Sequence, residues 1–264
     1  MRGALAVVFL FLMLLPAGTA LSAEFAEFPQ FRYISGLPGG GFGVSPEGKV
    51  GFDGAMQISI PVAYTPCWGN VVAGIWSGAV DEWRVRMKFR GDEVNGTGLL
   101  AVGLGKPEHG IYFGHMFTGW AHSGEAVYNV QVQLRGDDWD KPAVAIGCQD
   151  LSERRERWIR PTRHGYERTI YGVATGRLGS EDHFVYVTLG FGNGRYRNRP
   201  FAGVSWPCSE KVTVMFEYDG FNPNVGVALS LFSRFSDRRW NVVSLISLVD
   251  CQRFNLGTAF TYSR

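Results

Sequence analysis

Charge is what this sequence has least of: 19% of its 264 residues are Asp, Glu, Lys or Arg, and the formal net charge is +2. So little positive charge excludes a nucleic-acid binder, which needs a basic face to offset phosphate. Lysine is especially scarce. Long apolar runs are missing after Leu15, because a polar residue or glycine interrupts each one within a few positions. None approaches the roughly 20 residues of a membrane-spanning helix. No segment longer than a turn or two repeats its apolar residues every 3.6 positions, so helices are not expected. Four cysteines, Cys67, Cys148, Cys208 and Cys251, show no C-x-x-C pair and no adjacent histidine. That spacing argues against a zinc site and leaves the cysteines either incidental or joined in one or two disulfides, with three pairings open. No metal or cofactor is expected.

What is present points to β structure. Thirty-five glycines and 14% aromatic residues accompany 45% hydrophobic residues, enough for a sizeable core. At the N-terminus, Arg2 precedes an apolar stretch from Ala4 to Leu15, then Pro16-Ala17-Gly18 and small residues at Ala20 and Ala23. This is the pattern of a secretory signal, with cleavage predicted after Ala20 or Ala23. Residues 1–23 are read as signal, 24–53 as an irregular glycine-rich leader or plug, and 54–264 as a single β domain.

From about Gly54 onward apolar and polar residues alternate. Tyr128-Val130-Val132-Leu134 interleaves with Asn129-Gln131-Gln133, and Val212-Val214-Phe216-Tyr218 with Thr213-Met215-Glu217-Asp219. Period 2 puts one class on each face of a strand. About 14 strands (12–16) are predicted, near 55–64, 70–78, 83–90, 97–104, 110–120, 126–135, 142–150, 167–177, 183–192, 200–206, 211–219, 224–235, 240–250 and 253–263. The second face carries mostly Gly, Ala, Ser, Thr, Asn and Gln rather than Lys and Glu. That inversion fits an antiparallel transmembrane β-barrel, apolar towards lipid and polar towards the lumen. The competing reading is a secreted soluble β-sandwich that binds or hydrolyses glycans.

Sidedness gives a second argument. Counting back from the last strand puts the long arginine-rich connection 152–167 on one side, and the turns at Gly136-Asp137-Asp138, Gly179-Ser180-Glu181 and Ser236-Asp237-Arg238 on the other. Bacterial outer-membrane barrels have long external loops and short periplasmic turns. The final strand also ends in the pattern such barrels present to their assembly machinery, with Asn255, Gly257, Phe260 and Tyr262 in the polar, glycine and two aromatic positions.

Several segments resemble the YjbH-like family of exported barrel proteins, associated with exopolysaccharide in Gram-negative bacteria. They are K-P-A-V-A-I-G-C-Q-D-L at 141–151, T-L-G-F-G-N-G at 188–194, F-A-G-V-S-W at 201–206 and F-E-Y-D-G-F-N-P-N-V-G at 216–226. The resemblance implies an outer-membrane location and a link to polysaccharide export components, and it offers no catalytic residues.

The charged residues sort into three groups. Arg84, Arg86, Lys88, Arg90 and Arg177 are expected to face the lumen and to pair there with Glu217 and Asp219. Those two carboxylates, two apart on one strand face, would serve as the acids of a glycosidase in the sandwich reading. Arg154, Arg155, Arg157, Arg160 and Arg163 are candidate contacts for lipopolysaccharide phosphates, since guanidinium pairs bidentately with phosphate. Trp68, Trp76, Trp83, Trp120, Trp206 and Trp240 are expected near strand ends, in an interfacial girdle.

Overall fold

The computed structural model describes residues 35–78, 86–89, 92–95, 97–118, 125–151, 168–220, 222–232, 239–249, 251 and 253–264. The described residues are all-β apart from a 3-10 turn at Gly194–Tyr196. Two short strands come first, β1 (Gly43–Val44) and β2 (Val50–Gly51), followed by β3 (Val71–Gly78), β4 (Arg86–Phe89) and β5 (Asp92–Asn95). Next are β6 (Thr97–Lys106), β7 (His109–Thr118), β8 (Glu125–Arg135), β9 (Ala143–Gln149), β10 (Thr169–Ser180) and β11 (His183–Gly192). The last five are β12 (Arg199–Ser209), β13 (Val212–Tyr218), β14 (Pro223–Ser230), β15 (Trp240–Val249) and β16 (Arg253–Tyr262).

Strand β3 and strands β6 to β16 form one closed antiparallel barrel of 12 strands. The ring closes between β16 and β3, in a register running from Asn255 opposite Gly78 to Tyr262 opposite Val71. A single closed wall overturns the sandwich, which would need two sheets packed face to face. It also corrects the count of 14. Twelve of the predicted strands are wall strands, and the other two lie elsewhere. The segment at 55–64 is inside the barrel, and the segment at 83–90 supplies β4, which pairs with β5 in a separate two-stranded sheet.

The two ends of the barrel differ. At the turn end, where β3 begins and β16 finishes, the wall strands are joined through 107–108, 136–142, 181–182, 210–211 and 231–239. At the loop end the connections are 79–96, 119–124, 150–168, 193–198, 219–222 and 250–252. The two longest thus share one end, and the three turns singled out from sequence share the other.

The wall shows the inverted polarity read from the sequence. Ile75, Leu100, Ile146, Ile170, Leu189 and Phe260 point outward and are exposed, at 62% for Ile75 and 59% for Leu189. The inward rows are buried and largely polar, as at Asn129, Gln131 and Gln133 on β8, Thr175 on β10 and Glu217 on β13. They are buried because the lumen is full. Leu37, Phe42, Phe52, Met56, Ile58, Ile60, Val62 and Tyr64, all from the segment before β3, have no exposed surface. The barrel therefore begins at Val71 rather than Gly54, and the plug extends through the stretch read as the first strand.

Candidate functional site

The site is the interface between this plug and the inner wall. The plug passes along the lumen three times. It starts near the loop end, where Tyr112 Oη and Asn129 Nδ2 donate to the Gly36 carbonyl at 2.9 and 3.0 Å, and Gln149 Nε2 donates to the Ser35 carbonyl. It descends to the turn end and reverses through the β1–β2 hairpin. There Ser263 Oγ accepts from the Val50 N–H at 2.8 Å and donates to the Val50 carbonyl at 3.0 Å. It rises again to Ser59 at the loop end, then drops past Ala63 and Thr65 into β3. Beyond the β1–β2 ladder and bridges such as Val44 to Ala55, the passes carry backbone groups that need partners, and a buried unpaired polar group costs roughly 1–3 kcal/mol. The inward side chains meet that need. Ser205 Oγ accepts from the Met56 N–H at 3.2 Å, Thr175 Oγ1 from Ala63 at 2.9 Å and Gln133 Oε1 from Thr65 at 2.7 Å. Gln131 Nε2 donates to the Val62 carbonyl at 2.9 Å.

Glu217 is the strongest single anchor. Its carboxylate accepts from the backbone N–H of Ile58 at 2.8 Å and of Ser59 at 2.9 Å, and from the Ser59 hydroxyl at 2.6 Å. Asn224 Nδ2 donates to it at 2.9 Å and to Asp219 Oδ2 at 3.1 Å. Next to this cluster, Arg195 in the 3-10 turn folds inward, 5% exposed, and donates to the Ser59 carbonyl at 3.1 Å. Its guanidinium carbon lies 5.3 Å from the Tyr196 ring centroid. Glu217 thus faces plug donors and Asn224, where the sequence reading gave it a lumen arginine. Asp219 also accepts from the Asn222 N–H at 2.8 Å, which closes the loop-end turn between β13 and β14. The two carboxylates do share one neighbourhood, as their spacing implied, but the plug occupies the oxygens of Glu217.

Arg177 does face inward, and its partner is Asp137 in the β8–β9 turn, with Nε to Oδ2 at 2.7 Å. Burial pushes the Asp137 carboxyl above its usual range, against the opposing pull of Arg177. Trp139 lies 4.1 Å from the same guanidinium, and Phe184, Tyr186 and Tyr64 continue the ring contacts across the turn end. Arg86 and Lys88 lie on β4 and so belong to no wall strand, which corrects their placement as lumen lining. Arg84, Arg90, Arg154, Arg155, Arg157, Arg160 and Arg163 lie outside the described residues. No disulfide joins the four cysteines, and no group of three or more metal-ligating side chains occurs among the described residues.

In the assembly-signal strand, Phe260 points outward, and Asn255 and Gly257 point inward, both buried. Gly257 sits opposite Trp76 across the closing seam. A Cβ there would collide with the Trp76 indole, which also lies over Gly74 and Gly41. Trp76 is therefore an inward packing residue, a correction to its place in the girdle. Trp68 and Trp240 are exposed near the turn end, and Trp240 stacks on Tyr262 with centroids 4.7 Å apart. Sequence reasoning missed Ser59, Arg195 and Asn224. The one available signal was Pro61, which is out of place in a central strand.

These features define a class: a closed 12-stranded antiparallel barrel with an apolar exterior and an internal plug. No protein-family model matches the sequence, and no curated protein is similar to it.

Proposed function

We propose that this chain is an outer-membrane β-barrel whose lumen is stoppered by its own N-terminal segment, and that its envelope role is structural or that of a gated pore. One observation carries the reading: the apolar side chains of a closed wall face outward and exposed, while its polar rows are buried against the plug. In water that exterior would be a very large apolar patch, whereas in a bilayer it meets acyl chains. Strand lengths agree, since a tilted spanning strand needs roughly 9–11 residues, and all twelve wall strands have 7–12, seven of them 10 or 11. The predicted signal peptide and the Asn255–Tyr262 pattern support export and insertion by the barrel assembly machinery. The YjbH-like segments support a connection with polysaccharide export, and the arginine-rich connection supports contact with lipopolysaccharide. No catalytic role is assigned.

Fractionation tests the membrane assignment. The protein is expected in detergent-extracted outer membrane and to migrate faster on gels when unboiled, because the intact barrel resists detergent. Recovery in a periplasmic wash, with no heat-dependent shift, would overturn it. In planar bilayers the intact chain is expected to stay closed.

A further inference from the structure

The plug is fastened differently at its two ends. At the turn end it is continuous with β3 and held by backbone bonds: Cys67 N–H to the Gly48 carbonyl at 2.8 Å, Trp68 N–H to Gly105 at 3.1 Å and Gly69 N–H to Gly103 at 3.3 Å. Arg264 N–H adds a bond to Asn70 Oδ1 at 2.9 Å. None of these titrates. At the loop end, the reversal at Ser59 is held by the Glu217 carboxylate together with Arg195. We propose that ionised Glu217 is a latch, and that neutralising it frees the Ser59 reversal while the turn end stays anchored, so that the plug opens on a hinge at 65–70.

The groups that bond Glu217 are two close backbone N–H groups, a hydroxyl already donating to it and an amide NH2, with the Ile60 N–H at 3.5 Å completing the set. As arranged, all of them donate, and a carboxylate accepts from every one. A protonated acid would turn its own hydrogen towards a donor, and charge-assisted bonds are roughly twice as strong as neutral ones. The titratable or charged neighbours are few. Asp219 follows in the turn after β13. Arg195 and Tyr196 come from the 3-10 turn. Ser59 from the plug and Asn224 from β14 carry no charge. Elsewhere the plug is gripped by uncharged side chains (Gln131, Gln133, Thr175 and Ser205), which acid leaves unchanged, except at the turn end, where Asp137 faces plug Tyr64.

The latch itself needs only the fold; its gating role rests on the membrane reading above. The test is amide hydrogen exchange on the full mature chain refolded in detergent, with heat-dependent gel migration as the check on folding. In Glu217→Gln, the Ile58, Ser59 and Ile60 amides are expected to exchange about tenfold faster or more, with Cys67, Trp68 and Gly69 unchanged. The wild type, corrected for intrinsic rates, is expected to show the same local release between neutral and acidic pH, and this arm alone decides if the variant fails to fold. Unchanged exchange at 58–60 in a folded variant, or an equal rise in plug and wall, would overturn the latch. A flat acid profile in the wild type would overturn its control by protons. Bilayer recordings separate the two proposals: local release with no current in Glu217→Gln refutes the pore reading and leaves the latch standing.

Discussion

At the scale of single residues, the inner wall is shaped by glycines that let large side chains lie across the neighbouring strand. Trp76 covers Gly257, Tyr171 covers Gly147 and Phe201 covers Gly190, each pair directly opposite in register. Aromatic cover of a strand glycine shields backbone that would otherwise lack packing. Gly257→Ala is expected to lower stability by about 1–3 kcal/mol, the usual cost of overpacking. A lower urea midpoint of the refolded barrel would show it, and combining the change with Trp76→Leu should recover part of the loss. A neutral single variant would mean the indole has room to move. The parity of Asn255, Gly257 and Phe260 was legible in the sequence, because period 2 fixes the face. That Gly257 is a seat for Trp76 was not, since cross-strand register is absent from a single strand's pattern.

At the scale of elements, the segment at 55–64 explains the limit of that reading. Met56, Ile58, Ile60, Val62 and Tyr64 alternate with Gln57, Ser59, Pro61 and Ala63 as a wall strand would. Alternation marks a strand with two different faces, yet here both parities are enclosed, and the polar members face wall side chains instead of water or lipid. The 83–90 pattern failed otherwise: part of it is a strand, but periodicity does not say which sheet a strand joins. The twelve wall strands were legible because the apolar exterior and the polar inner row put opposite chemistry on their two faces. Replacing residues 36–65 with a short Gly/Ser linker tests the plug directly. The wall is expected to retain its heat-dependent migration, and a conductance absent from the intact protein should appear in planar bilayers. A silent, folded, plugless barrel would show that the wall collapses inward.

At the scale of the whole molecule, orientation is set by which end carries the long connections. Cys208 is exposed near the turn end and Cys251 at the loop end, so the chain holds its own sidedness probes. With an impermeant maleimide on intact cells, a variant retaining only Cys251 is expected to label. One retaining only Cys208 should label only after the outer membrane is permeabilised. The reverse result would invert the molecule in its membrane.

The position of the closing seam also dictates an order of events. Most of residues 35–66 is enclosed by a wall that closes only when β16 pairs with β3. A ring already sealed between β16 and β3 would offer the reversal at Ser59 no way in except lengthwise, past the inward side chains of the wall. The stopper must therefore be seated while the cylinder is still an open, curling sheet. Biogenesis then has a point of no return: joining the last strand to the first commits the contents, and a chain that seals early is left hollow.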